Sequence, residues 1–167
     1  YNEGNCEDAG KRIVVIGGGD TAMDCASVAR RLGTRNADGS LRKGSPQGRA
    51  SAEVVIAYRR TVAEMPALKH EIAAVLQEGV RIEPLVVPIE VVKDAQGRAT
   101  GVHYVDKVTR TDRHAAAKVV VLAASGCESA RILLNSKNAM FPSGVANSSG
   151  KVGRYLMDTV GAGISGQ

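Results

Sequence analysis

Between Lys11 and Asp24 the chain reads KRIVVIGGGDTAMD: four apolar β-formers run into three glycines and then into a helical pattern. The spacing Gly17-x-Gly19-x-x-Ala22 is that of a dinucleotide-binding turn between a strand and a helix. Gly17 permits the tight turn, Gly18 continues the loop, and Gly19 lets the backbone approach a pyrophosphate that a Cβ would hold off. Asp20 or Thr21 caps the helix that follows, whose free N–H groups and positive dipole end face an anion. Gly17, Gly18, Gly19, Asp20 and Thr21 are therefore the candidate phosphate-contacting residues. The competing reading is a glycine-rich turn that only packs helix on strand.

A second candidate group lies at the end of the next apolar run, EVVIAY at 53–58, where Arg59 and Arg60 follow Tyr58. In a dinucleotide fold this strand end meets the adenosine ribose. An acid there takes the 2′-hydroxyl of NAD, whereas arginine favours the 2′-phosphate of NADP. No acid stands at this strand end, so the pattern points to NADP; the alternative is a pair of solvated arginines. The other reactive residue types converge on nothing. His70, His103 and His114 lack metal-type spacing, and Glu64, Glu71 and Glu78 read as solvated helix charges. Ser125-Gly126-Cys127 lacks the G-x-S-x-G elbow of a hydrolase nucleophile, and Cys127 reads as buried and inert. No catalytic residue and no metal ligand is assigned.

Positioning these residues requires a nucleotide-binding core, and 167 residues with 44% apolar content can build one. Aromatics are scarce, with one Phe, four Tyr and no Trp, so aliphatic and small side chains fill the interior, as suits a helix-covered parallel sheet. The net charge of +5 comes from scattered basic residues without interleaved aromatics, which gives nucleic-acid binding no footing. Cys6, Cys25 and Cys127 are too few and too dispersed for a disulfide framework, so a reducing, cytoplasmic compartment is expected. No apolar run approaches the ~18 residues of a membrane span.

The apolar periods place strands at 12–16, 53–58, 80–83 and 118–123 in one parallel sheet. Helices are expected at 20–32, 64–78 and 128–135, and a β-hairpin at 86–105. Ala22, Cys25, Ala26, Val28, Ala29 and Leu32 would form the first helix's apolar face. The fold class is α/β, a Rossmann-like three-layer nucleotide-binding domain with a parallel sheet and an inserted β-hairpin. Residues 1–10 read as a linker. Residues 11–136 form the FAD/NAD(P)-binding type domain, and 137–167 a loop-rich, poorly anchored C-terminal appendage. The stretch 34–51 is a Gly/Ser-rich basic insertion, read either as a flap over a phosphate or as a solvated excursion.

Two family resemblances overlay this reading. Residues 11–105 resemble the NADPH-binding region of the glutamate synthase small-subunit and dihydropyrimidine dehydrogenase family. The matching words are GGGDTAMDCA at 17–26, AYRR at 57–60, EMPA at 64–67, QEGV at 77–80 and GRATGV at 97–102. This resemblance implies an NADPH site at Gly17, Gly19, Asp20, Thr21, Arg59 and Arg60, passing hydride to a flavin held elsewhere. Residues 101–167 resemble part of the glucose–methanol–choline (GMC) oxidoreductase family, through KVVVLAASGCESARILLNS at 118–136 and GVANSSGKVGRYLMD at 144–158. That implies a closing strand and helix of an FAD domain within 106–136. The family's flavin fingerprint and catalytic histidine region have no counterpart here. The chain thus reads as a chimera or fragment.

The expected function is an NADP(H)-binding module of a flavin-dependent oxidoreductase. Its partners would be the dinucleotide and a flavin- or iron–sulfur-bearing domain or subunit, with no nucleic acid and no membrane. Turnover by the chain alone is not expected. The alternatives are a fragment of a GMC-type FAD oxidoreductase acting on an alcohol or sugar, and a non-catalytic dinucleotide-binding module.

Overall fold

A computed structural model describes residues 12–32 and 52–157. The expected linker, the 34–51 insertion and the last ten residues lie outside them. Strands β1 (Arg12–Ile16), β2 (Glu53–Tyr58) and β3 (Arg81–Pro84) form a parallel sheet in the order β1-β2-β3. The register sets Ile16 beside Ala57 and Tyr58 beside Pro84, so the carboxyl ends of all three strands share one edge. Pro84 lacks a backbone donor and is accommodated because β3 is an edge strand of the sheet.

Helices α1 (Asp20–Leu32) and α2 (Lys69–Gln77) cover one face of this sheet. Ile13 and Val15 of β1, Val54, Ile56 and Tyr58 of β2, and Ile82 of β3 meet Met23, Ala26 and Ala29 of α1 and Ile72 and Val75 of α2. The buried stripe of α1 is thus Met23-Ala26-Ala29. Cys25 and Val28 are exposed, contrary to the expected face. Alanines at this contact let the helix backbone approach the sheet, and Met23 fills the remaining irregular space.

The expected helix at 64–78 is divided. A 3-10 turn occupies Val62–Glu64, the chain is extended at Met65 and Leu68, and α2 begins at Lys69. Pro66 pushes its preceding residue out of the helical region, and Met65 and Ala67 are buried in the core instead. The α2 terminus is clasped to α1. Glu78 accepts hydrogen bonds from Ser27 Oγ (2.7 Å) and from the Arg31 guanidinium, while Arg30 Nε donates to the Glu78 carbonyl (2.9 Å). Gly79 closes the helix at φ 81°, a left-handed conformation that suits glycine.

Glu78 is therefore not the solvated charge its sequence context suggests. Its partial burial works against ionisation, but the bonds from Arg31 and Ser27 and the two arginine charges outweigh that and lower its pKa from 4.5. The ionised carboxylate's contribution is complete above that value and is lost as pH falls through the lowered folded value. Glu78→Gln is expected to cost about 1–2 kcal/mol at pH 7 and distinctly less near pH 3. Urea unfolding at the two pH values measures both; an equal cost at each would exclude a charge-dependent clasp.

At Leu85 (φ 62°) the chain leaves the parallel sheet and enters an antiparallel one of β4 (Val86–Lys93), β5 (Ala99–Asp106) and β6 (Thr111–Ala116). The expected hairpin thus has a third strand, with Gly101 paired to Ala116 and Asp106 to Thr111. The β5–β6 turn is closed by Asp106, whose carboxylate accepts from the N–H groups of Val108 (2.9 Å) and Thr109 (3.2 Å). His103 places Nε2 3.2 Å from Asp112 of β6 and Nδ1 3.9 Å from Glu90 of β4.

The strand expected at 118–123 does not form. These residues have no regular structure, and Val119 and Val121 are 75% and 79% exposed. Apolar β-formers give a strand only where a neighbouring edge accepts their backbone groups, and among the described residues the parallel sheet pairs β1, β2 and β3 alone. The chain divides into two compact units, 1–92 with 101–116, and 93–100 with 117–167. In the second, α3 (Gly126–Asn135) packs under a loop at 137–157. Val145 N–H donates to Leu133 O (3.0 Å), and buried Asn147 bonds to Ser143 O and Val152 N–H. The described part of the loop is hence tied to α3.

Candidate functional site

The glycine loop sits at the carboxyl edge of the parallel sheet, where ligands of open α/β sheets bind. Gly17 N–H donates to Ala57 O (3.1 Å), which continues the sheet register one residue past β1. Gly17 has φ 153°, and a Cβ there would stand 3.3 Å from that of Ala22, so Ala22 allows the close approach of loop and helix. Gly18 is glycine for an internal reason. A Cβ on it would lie 2.5 Å from the Tyr58 ring, which is itself fixed by a bond from its hydroxyl to Glu64 O (3.1 Å).

Gly19 differs from both. Its φ is not left-handed, and a Cβ on it would meet nothing within 4 Å. Nothing in the described fold requires glycine there; the space above it is open. Gly19 O accepts from Ala22 (2.9 Å) and Met23 (3.2 Å), which starts α1. The N–H groups of Gly18, Gly19, Asp20 and Thr21 have no acceptor among the described residues. Four successive free donors at a helix start form a cradle for an anion.

The β2–α2 connection clasps this loop. Ala67 N–H donates to Gly18 O (3.1 Å), and Leu68 N–H donates to Asp20 Oδ1 (2.9 Å). Asp20 and Thr21 are thus the first residues of α1 rather than its expected cap, a position that Gly19 takes, and the Asp20 carboxylate ties the start of α1 to the residue before α2. Arg59 and Arg60, on the first bend after β2, are exposed. Neither guanidinium makes a hydrogen bond or ion pair with any described residue. The structure brings them to the sheet edge that carries the glycine loop, since Ala57 pairs with Ile16.

Glu64, too, is more than the surface charge expected from its place in the sequence. It accepts from Thr61 Oγ1 (2.7 Å) and Thr61 N–H (3.0 Å) and closes the turn that follows the arginines. Those two bonds, with lesser help from the charges of Arg60 and Lys107, lower its pKa. The T-x-x-E spacing at 61–64 is the sequence signal for this role. The remaining reactive residues stay apart. Cys25 and Cys127 are exposed free thiols, against the expectation of a buried Cys127. Among the described residues no group of three His, Cys, Asp or Glu side chains could hold a metal, and no helix is long and apolar enough to cross a membrane.

The sequence pattern of the pyridine nucleotide-disulphide oxidoreductase family matches residues 2–153. The chain belongs to that family. Its members are flavin-dependent oxidoreductases that bind FAD and a pyridine nucleotide. The NADPH-Fe(3+) oxidoreductase subunit beta of Geobacter sulfurreducens is 38% identical over 96 residues, 58% of this chain and 12% of that protein. The glutamate synthase [NADPH] small chain of Escherichia coli is 34% identical over 103 residues, 62% of this chain and 17% of its own length. The fructose dehydrogenase large subunit of Gluconobacter japonicus, a GMC-type enzyme, is 39% identical over 89 residues, 53% of this chain and 16% of its own. Both resemblances read from the sequence are therefore found among the relatives of this chain, which spans less than a fifth of each of these three proteins.

Proposed function

We propose that this chain is the NADP(H)-binding module of a flavin-dependent oxidoreductase, delivering hydride to a flavin held elsewhere in a larger protein or assembly. The observation that carries the reading is Gly19: glycine stands where the described fold leaves open space, beside four backbone donors that have no acceptor among the described residues. Those donors suit a pyrophosphate, and the free Arg59 and Arg60 suit a 2′-phosphate through charge-assisted bonds. The residues present therefore fit a dinucleotide. When bound, the nicotinamide supplies the hydride. The chain's own residues place it: Gly18 against Tyr58 fixes the loop, Asp20 fixes the helix start, and the arginines select the nucleotide. No side chain is assigned as acid, base or nucleophile. Two of the relatives carry NADPH in their names and are a subunit and a small chain, which supports a flavin- or iron–sulfur-bearing partner.

The match to the fructose dehydrogenase large subunit favours a second reading, a fragment of a GMC-type FAD oxidoreductase. Calorimetric titration of the chain with NADPH, NADH and FAD separates the two. NADPH is expected to bind at least about tenfold tighter than NADH, one such factor corresponding to ~1.4 kcal/mol. FAD binding alone would select the second reading, and binding of none of the three would leave a structural module.

A further inference from the structure

The sheet edge beyond the arginines contains another cation, delivered by a distant part of the chain. Leu85 N–H donates to Arg60 O (3.1 Å), and Lys107 N–H donates to Leu85 O (2.9 Å). Two backbone bonds therefore connect the β5–β6 turn to the bend that bears Arg59 and Arg60. The left-handed Leu85 (φ 62°) is the joint that makes both possible. Lys107 is exposed, and its ammonium has no hydrogen-bond or ion-pair partner among the described residues. Its charge and that of Arg60 both act on the Glu64 carboxylate. Glu64 is held by Thr61, so it remains in place beside the charges of Arg60 and Lys107.

From this we infer that Lys107 is a specificity-determining residue that completes, with Arg59 and Arg60, a three-cation site for the 2′-phosphate of NADP(H). The inference rests on the proposed NADP reading and adds a residue to it. The nearby carboxylates are occupied, Glu64 by Thr61 and Asp106 by the Val108 and Thr109 N–H groups and Arg113, which leaves the three cations for a dianionic phosphate group. Lysine suits the outer position, because a flexible stem can bring its point charge to the anion without the fixed geometry of a guanidinium.

The test uses the whole chain and compares the affinities of NADPH and NADH for the parent, Lys107→Ala, Lys107→Arg and Arg12→Ala. Arg12 is an exposed cation at the opposite, amino end of β1, about 17 Å along the strand from the glycine loop at ~3.3 Å per residue. Lys107→Ala is expected to weaken NADPH about three- to fivefold and NADH less than about twofold, the upper part of the range of a solvent-screened ion pair. Lys107→Arg should retain most of the preference, and Arg12→Ala should leave it unchanged. If the parent prefers NADPH but Lys107→Ala keeps the full preference, Lys107 is excluded while the NADP reading stands. An equal loss in Arg12→Ala would reduce the effect to net charge and also exclude Lys107. A parent with no preference for NADPH overturns the NADP reading itself.

Discussion

Replacing Gly19 with valine is expected to abolish NADPH binding, weakening it by at least about a hundredfold, or ~2.7 kcal/mol, while leaving the fold nearly intact. A Cβ at Gly19 would meet no atom within 4 Å, and its backbone is not left-handed. The added methyls therefore occupy only the space in which a pyrophosphate would approach the free N–H groups. The cost to the fold is the weaker N-cap behaviour of a β-branched residue, about 1 kcal/mol. Gly18→Ala is the counter-experiment. Its methyl group would enter the Tyr58 ring at 2.5 Å, so that variant should lose about 1–3 kcal/mol of stability by overpacking. Calorimetric titration and thermal melts on both variants separate ligand space from packing space. Unchanged NADPH affinity in Gly19→Val would remove the nucleotide from this loop.

The second large effect is expected from Arg59→Ala combined with Arg60→Ala, which should weaken NADPH roughly ten- to a few hundred-fold. Charge-assisted hydrogen bonds are worth about 1.5–3 kcal/mol each, reduced here by solvent exposure and by the coupling of neighbouring residues. NADH, which lacks the phosphate, should lose much less. Both side chains are exposed and neither bonds a described residue, so the variant should melt close to the parent. Arg60 keeps its fold contact, the carbonyl that accepts from Leu85, whatever its side chain. The NADPH-specific loss should shrink as salt rises, because exposed charges are screened over ~8–10 Å near physiological ionic strength. Equal losses of NADH and NADPH would mean that the arginines hold the pyrophosphate or the loop, and the choice of NADP would be wrong.

Family membership and the chain's small share of its relatives bear on how such a module works. Hydride transfer asks the protein for placement rather than for a reacting side chain. That agrees with a site composed of backbone donors, open space and fixed positive charge.

Local physics makes the core of this protein legible in its sequence. Ile13–Ile16 followed by Gly17, and Val54–Tyr58 followed by Arg59, combine strand propensity, turn chemistry and charge within a few residues. β1, α1, β2 and the candidate phosphate loop follow from such short-range terms. Pairing is another matter, because it depends on which edge is free. KVVVLA at 118–123 has the composition of a buried strand yet stays unpaired, while polar TDRHAA at 111–116 becomes β6 because the Asp106 turn folds it back onto β5. The stripe of α1 turns to Met23-Ala26-Ala29 for a similar reason, as the sheet selects whichever face packs most closely. Lys107 belongs with these long-range outcomes: its type is visible in the chain, but only the joint at Leu85 and two backbone hydrogen bonds bring it to the arginines.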